Sequence, residues 1–148
     1  MNNFFLALFA GIGAALAIGV LAYSDAEISN MALLMAPFGA TTVLVFGLPD
    51  SPLAQPKNVI FGHLITAFIG VFFTQLVGVT PLTLALATGL AVSAMLLTKT
   101  THPPAGANPL LIMLTGQSWL FLVTPVLSGA IVIVLVGLMM RRLKRSFA

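Results

Sequence analysis

Six long apolar runs constrain this chain to fold as helices within a membrane. They cover residues 4–23, 31–48, 58–77, 81–97, 101–115 and 120–140, and none contains a lysine or an arginine. About twenty apolar residues in a helix reach across the ~30 Å hydrocarbon core of a bilayer. Only 6% of the residues are charged, against about 25% in soluble domains. We therefore predict an all-α, polytopic membrane bundle that forms one transmembrane domain over residues 1–148, with the lipid bilayer as its partner.

The charged residues indicate topology and exclude several functions. Four of the six basic residues form a tail directly after the last run: Arg141, Arg142, Lys144 and Arg145. Basic residues that flank a span favour the cytoplasmic side. We expect a multi-pass protein of the cell membrane (inner or plasma), with a cytoplasmic C-terminus and no nucleic-acid partner. The chain has no cysteine, which excludes disulfides, thiol catalysis and cysteine-ligated metals.

A proline-rich stretch interrupts the fifth run. Residues 101–109 contain Pro103, Pro104 and Pro109, and prolines at this density do not fit the interior of a regular helix. A broken backbone survives in hydrocarbon only where protein or water surrounds it, and broken helices form binding sites in many transporters. The alternative is a plain loop between two spans.

When the sequence is shifted by 67 residues, its first half aligns with its second half. This shift aligns Pro37 with Pro104, Gly39 with Gly106, Ala40 with Ala107, Gly62 with Gly129 and Gly70 with Gly137. We interpret this pattern as a duplicated unit of three runs, at about residues 4–78 and 80–140. Two successive three-span units have opposite orientations in a membrane, which is the 3+3 inverted repeat of many transporters.

The placement of single charges tests this topology. If all six runs cross, Lys57, Lys99 and the basic tail lie on one side, and Asp25 and Glu27 lie on the other. That arrangement follows the positive-inside tendency. The alternative is four spans plus two re-entrant helices, at runs two and five.

The repeat also predicts a binding site between two half-helices, at residues 40–48 and 107–115. Thr41 and Asn108 occupy equivalent positions and suit helix N-caps. Because the units are inverted, the two N-terminal ends face each other, and their free N–H groups and partial positive charge favour an anion. The predicted substrate-binding residues are Gly39, Ala40, Thr41, Thr42, His102, Gly106, Ala107 and Asn108.

The two histidines, His63 and His102, are candidates for gating or proton coupling, because imidazole titrates near neutral pH. The alternative is that each histidine braces the broken backbone through a ring N–H. Two histidines without a nearby acid make a poor metal site. The sequence has no nucleophile triad, paired carboxylates or nucleotide-binding loop. We therefore expect no catalytic residue, no metal and no cofactor, and a protein that is not an enzyme.

Small residues recur every fourth position in several runs. Ala7, Gly11, Ala15 and Gly19 form one such face in run one, and Gly62, Thr66 and Gly70 form another in run three. Such faces let membrane helices approach closely. We expect them to pack against other helices of the bundle and to support a homodimer.

The stretch His102-Pro103-Pro104-Ala105-Gly106-Ala107 resembles the signature of the HPP family of integral membrane proteins. Residues 36–40 and 49–63 are similar to the other characteristic stretch of that family. The resemblance covers about residues 31–140. The family is usually described with four spans, and it includes members implicated in nitrite transport, so the resemblance implies transport of an anion.

The sequence thus predicts a transporter or channel for a small monovalent anion, nitrite first. One alternative is a channel for a small neutral solute, with broken helices lining a narrow pore. Another is a membrane scaffold or regulatory subunit that transports nothing. Flux through liposomes that contain only this chain separates these hypotheses.

Overall fold

The computed structural model describes residues 3–27 and 33–146, and every regular element in these ranges is helical. The longer elements are α1 (Asn3–Glu27), α2 (Pro37–Thr42), α3 (Pro56–Phe72), α4 (Pro81–Leu97), α5 (Asn108–Thr115) and α6 (Ser128–Ser146). Turns of π-helix extend α2 over Val43–Gly47 and α3 over Phe73–Val77, and one precedes α6 at Val123–Leu127. Short 3₁₀ helices cover Pro52–Ala54, Pro103–Ala107 and Trp119–Leu122. The prediction of an all-α membrane bundle is confirmed.

Three helices are long and apolar enough to cross a membrane: Asn3–Ala26, Pro56–Val77 and Trp119–Ser146. The apolar helices Pro37–Gly47 and Pro81–Leu97 are shorter. At ~1.5 Å per residue, Pro37–Gly47 covers only about half of a ~30 Å hydrocarbon core. We number the six segments of the structure as the six apolar runs of the sequence. Segment two therefore needs its non-helical residues 33–36 as well as α2 to extend along the bundle.

Prolines begin most of these helices. Pro37, Pro56 and Pro81 each occupy one of the first two positions of α2, α3 and α4. A proline there loses no helical hydrogen bond, and its fixed φ already suits the helix. The hydroxyl of Thr80 also caps α4, because it accepts a hydrogen bond from the Thr83 N–H at 3.1 Å.

Residues 33–51 run antiparallel to α1 along most of its length. At the end of α1, the carboxylate of Asp25 accepts a hydrogen bond from the Leu33 N–H at 2.7 Å. Further along, Gly13 packs so closely on Phe46 that an added Cβ would lie 2.5 Å from its ring. Near the start of α1, Leu6 lines a cavity together with residues 47–51. Segment two thus passes from one end of the bundle to the other.

Segment five runs parallel to α3 in the same end-to-end manner. At the start of α3, the side-chain amide of Asn58 donates to the Thr101 carbonyl at 2.9 Å. At its far end, the side-chain amide of Gln75 donates to the Gln117 carbonyl at 3.0 Å. The 3₁₀ turn and α5 lie between these two contacts. Segment five therefore does not return to the end at which it began.

Segment two also runs parallel to α6. A Cβ on Gly129 would meet the Phe38 ring and the Leu33 carbonyl, and one on Gly137 would meet Val45. Together these contacts make segments one and two antiparallel, segments three and five parallel, and segments two and six parallel. Among the described residues, segments two and five each run from one end of the bundle to the other.

The ends of the bundle differ in charge. Segment two ends beside the basic tail, because Asp50 lines the same cavity as Arg141 and Lys144. The hydrogen bond from Asn58 to the Thr101 carbonyl brings the end of segment four to the start of α3, close to Lys57. The opposite end carries Asp25 and the turns at residues 78–80 and 116–118. Lys57, Lys99 and the tail therefore share one end, as the six-crossing topology predicts. The side chain of Glu27 lies outside the described part of the chain.

Several predicted boundaries were wrong by a few residues. α1 continues to Glu27 instead of ending at residue 23. α2 begins at Pro37 instead of residue 40, and the Gly39 N–H donates to the Ala36 carbonyl at 3.1 Å, so it is not a free donor. The second half-helix begins with a 3₁₀ turn at Pro103, and its α-helical part starts at Asn108. The proline at each start sets the helical backbone earlier than the glycine does.

The small-residue faces had different outcomes. Gly62 and Gly70 pack tightly on segment five, as predicted: a Cβ on Gly70 would lie 3.0 Å from Pro109. The small-residue face of α1 is exposed at Ala7, Gly11, Ala15 and Gly19, so it does not pack within the described bundle. α1 instead buries Gly13, Ala17 and Leu21. Spacing by four occurs on every side of a helix, so it does not indicate which side the bundle covers.

Candidate functional site

A cluster of polar side chains lies buried where α2 and the 3₁₀ turn before α5 begin. These two short elements lead toward opposite ends of the bundle, and α3 contacts α2 through His63 and the 3₁₀ turn through Gly62. The cluster consists of Thr41, His63, Thr66, His102 and Asn108, and each of these residues is 0% exposed. No lysine, arginine, aspartate or glutamate among the described residues hydrogen-bonds to any member.

Thr41 connects the two histidines. Its hydroxyl oxygen lies 2.8 Å from Nε2 of His63 and 3.0 Å from Nε2 of His102. The same oxygen lies 3.1 Å from the carbonyl oxygen of Pro37. On the far side, Nδ1 of His102 lies 2.8 Å from the carbonyl oxygen of Leu53. The two imidazole rings contact each other edge to face, with centroids 5.0 Å apart.

Asn108 holds the other side of His63. Its amide nitrogen lies 3.0 Å from Nδ1 of His63, 3.1 Å from the His63 carbonyl oxygen and 3.0 Å from the Thr66 hydroxyl. Two amide hydrogens therefore face three acceptors. The amide oxygen of Asn108 is buried and has no hydrogen-bond partner. An unpaired buried acceptor is costly, so this oxygen is the one atom of the cluster that lacks a donor.

Two glycines make room for the cluster. A Cβ on Gly62 would lie 2.8 Å from Cβ of His102 and 2.9 Å from the Thr100 carbonyl oxygen, so only glycine lets segment five pass α3 at this distance. A Cβ on Gly129 would lie 2.1 Å from the ring of Phe38. That ring packs edge to face on His63, with centroids 5.3 Å apart. Both glycines therefore position imidazole rings.

The structure brings together four of the predicted site residues: Thr41, His63, His102 and Asn108. Thr42 is buried, but its hydroxyl donates to the Gly39 carbonyl at 2.7 Å and does not reach the cluster. The other four predicted residues are exposed or half-buried around it: Gly39, Ala40, Gly106 and Ala107. An added Cβ on Gly39 or Gly106 meets no atom within 4 Å, so neither glycine is needed for close packing.

The predicted capping roles were wrong. Neither α2 nor α5 has a side-chain cap at its N-terminus. Thr41 lies inside α2 and Asn108 is the first residue of α5, so both side chains point to the histidines instead of their own helix ends. Sequence reasoning also missed Thr66 and the Leu53 carbonyl as members of the site. The spacing of His63 and Thr66, one helical turn apart in an apolar run, was the available signal.

A cavity of about 560 Å³ opens between α1, the end of segment two and α6. Arg141, Lys144 and Asp50 line its outer part, and Val45 and Phe46 line it further along α2. Val45 lies one helical turn from Thr41. The cavity thus opens at the basic end of the bundle, and none of its lining residues belongs to the cluster.

The fold and the site together define a polytopic α-helical membrane protein with a buried polar centre at its helix breaks. The family model described as "HPP, transmembrane region" matches residues 2–148. This chain belongs to the HPP transmembrane family.

Two similar proteins are transmembrane proteins of Dictyostelium discoideum. One is 36% identical over an alignment 149 residues long, and this alignment covers 95% of this chain and 51% of the relative. The other is 35% identical over 149 residues, which cover 95% of this chain and 47% of the relative. The chain thus spans about half the length of the relatives it matches. No solved structure matches it.

Proposed function

We propose that this chain transports a small monovalent anion, nitrite first, across a cell membrane along a path through the buried histidine cluster. The observation that carries the proposal is the meeting of two short helices, which begin beside the same cluster and lead to opposite ends of the bundle. Helix N-terminal ends carry partial positive charge, and broken helices of this kind surround anion sites in transporters. The family resemblance to nitrite transporters supports the same solute class.

The cluster can exchange its internal hydrogen bonds for bonds to a solute. Asn108 has two amide hydrogens for three acceptors, so one hydrogen can turn to an anion while the other keeps Asn108 attached to α3. Thr41 has a choice of two acceptors, His102 and Pro37. The cavity at the basic end supplies an approach, since Arg141 and Lys144 at its mouth attract anions.

The proposed transporter has a defined topology, orientation and oligomeric state. The two three-segment units form an inverted repeat, the basic end faces the cytoplasm, and two copies associate as a homodimer. The protein is a transporter and not an enzyme. The opposite directions of segments two and five support the repeat, and the shared end of Lys57, Lys99 and the tail supports the orientation.

Flux through liposomes that contain only the purified chain tests the proposal. At alkaline pH, where little nitrous acid crosses lipid unaided, we expect nitrite uptake above that of empty liposomes and competition by other monovalent anions. Thr41→Val should lower uptake about tenfold, since one hydrogen bond to a charged group contributes about 1.5–3 kcal/mol. Thr88→Val is the matched control, because Thr88 donates only to its own helix, at the Leu84 carbonyl 2.8 Å away.

Uptake that equals empty liposomes for every anion tested would end the proposal and favour a scaffold or regulatory subunit. Wild-type uptake by both threonine variants would remove the cluster from the path. Uniform inhibition by both variants would indicate a general packing defect.

A second candidate is a channel for a small neutral solute with a hydrogen-bond donor. The specific observation that favours it is the unpartnered amide oxygen of Asn108, which accepts a hydrogen bond and repels an anion. Uptake of such a solute would be insensitive to competing anions. Competition by chloride therefore separates the two candidates.

A further inference from the structure

The hydroxyl of Thr41 has three hydrogen-bonding neighbours, and when both rings are neutral it cannot bond all three at once. It lies within hydrogen-bond distance of Nε2 of both histidines and of the Pro37 carbonyl oxygen. A hydroxyl has one hydrogen and can accept two hydrogen bonds. Which of the three partners donates and which accepts follows from the other contacts of the two rings.

When the ring of His102 is neutral, its contacts determine which nitrogen carries the hydrogen. Its Nδ1 lies 2.8 Å from the Leu53 carbonyl oxygen, and a carbonyl oxygen only accepts. Nδ1 of His102 therefore carries a hydrogen. Nε2 of the neutral ring then has a lone pair and accepts from Thr41.

The neutral ring of His63 carries its hydrogen on the other nitrogen, Nε2. The amide nitrogen of Asn108 faces the His63 carbonyl oxygen at 3.1 Å, so the amide cannot be reversed without placing two acceptors together. It also faces the Thr66 hydroxyl, whose own hydrogen donates to the Gly62 carbonyl at 2.9 Å. Nδ1 of His63 therefore accepts from Asn108, and its Nε2 carries the hydrogen and donates to Thr41.

The neutral cluster thus has a single directed chain of hydrogen bonds. His63 donates to Thr41, Thr41 donates to His102, and His102 donates to Leu53. The carbonyl oxygen of Pro37, 3.1 Å from the Thr41 hydroxyl, is a second possible acceptor that remains unused in this series of hydrogen bonds.

We propose that the cluster is a one-proton site in which Nε2 of His102 takes the proton and the Thr41 hydroxyl is the switch. On protonation, the Thr41 hydrogen turns from His102 to the Pro37 carbonyl. The Thr41 oxygen then accepts from both Nε2 atoms, so every hydrogen in the cluster keeps an acceptor. The proton comes from hydronium or from the protonated solute, forms one N–H bond on His102, and breaks no other covalent bond in the protein.

The surroundings limit the site to one proton. His63 is the titratable side chain that contacts His102 among residues 33–146. Lys57 and Lys99 are exposed at the basic end of the described bundle, away from both rings. After the first proton binds, both acceptor positions of Thr41 are filled, and Nδ1 of His63 still faces the amide hydrogens of Asn108. The bound proton offsets the charge of a passing anion, so one proton crosses with each anion. This coupling rests on the proposed function.

Solid-state NMR of the ¹⁵N-histidine-labelled chain in lipid bilayers tests the proton site without any transport. Near neutral pH, one histidine should carry its hydrogen on Nδ1 and the other on Nε2. As the pH falls, one imidazolium should form first, and His102→Gln should remove that signal. Thr41→Val should lower the ratio of charged to neutral His102 at a fixed pH about tenfold or more, and Thr41→Ser should leave it as in the wild type.

Identical tautomers on both rings, or first protonation at His63, would overturn the inference. So would a Thr41→Val variant that titrates as the wild type does. If Thr41→Val fails to fold, the tautomers and the order of protonation in the wild type and in Thr41→Ser decide the matter.

A flux measurement tests the coupling itself. A pH-sensitive dye inside the liposomes reports the number of protons that enter with each nitrite. This number should be about one for the wild type and for Thr41→Ser, and clearly lower for the residual flux through Thr41→Val. An unchanged ratio in Thr41→Val would refute the switch. A wild type without flux would end the proposed function alone, since the NMR result stands without it.

Discussion

Gly62→Ala should destabilise the protein by pressing α3 against the backbone of segment five. The added Cβ would lie 2.8 Å from Cβ of His102 and 2.9 Å from the Thr100 carbonyl oxygen. Carbon atoms pack best at about 3.5–4.0 Å, so the two segments must separate by several tenths of an ångström. One of the two obstructing groups is backbone, which cannot move aside by changing a rotamer. Overpacking of this kind costs about 1–3 kcal/mol.

The matched control is Gly89→Ala in α4, where an added Cβ meets no atom within 4 Å. Both substitutions gain the helix propensity of alanine, about 1 kcal/mol, so this term cancels in the comparison. The difference between the two variants isolates the clash and should equal about 1–3 kcal/mol. For a chain of this size, each 1 kcal/mol shifts the Tm by roughly 2–4 °C.

Thermal unfolding of the two variants in the same detergent provides the measurement. We expect Gly62→Ala to melt at least ~2 °C below Gly89→Ala, with altered ¹⁵N signals for His102 in the folded state. If Gly62→Ala melts at or above the temperature of Gly89→Ala, the close approach at His102 is not a constraint and the argument fails.

Three further predictions concern topology, packing and the site. Because the chain has no cysteine, Asp50→Cys and Gln117→Cys can each be labelled with an impermeant thiol reagent, and reaction from opposite sides of the membrane is expected; reaction from the same side would refute six crossings. Gly129→Ala should unfold at lower temperature than Gly106→Ala, because only its Cβ would overlap a ring, that of Phe38 at 2.1 Å; equal melting temperatures would contradict this packing. Asn108→Leu removes every contact of its amide nitrogen with α3 and should lower nitrite uptake about tenfold or more; unchanged uptake would exclude Asn108 from the path.

The composition and the apolar runs were sufficient to predict the fold class. Hydrocarbon leaves a backbone no other way to satisfy its polar groups than a helix or a closed barrel, and the runs have helical length. The prolines located the breaks, because a proline alters local geometry wherever the chain goes. The repeat singled out Thr41 and Asn108 as equivalent positions near the starts of the half-helices, and His63 and His102 were candidates because imidazole titrates near neutral pH.

Only the tertiary structure decided how these residues meet. Thr41 and Asn108 have the residue types of helix caps, yet their partners are the histidines, which lie far away in sequence. Which side of a helix is covered also depends on its neighbours, so α1 buries Gly13 and exposes Gly11 although both are glycines in one apolar run. Helical position is encoded within a few residues, but close approach is a property of two segments at once. For this reason the sequence determined where the chain breaks, and the packing of α3 on segment five determined that the breaks enclose a histidine pair.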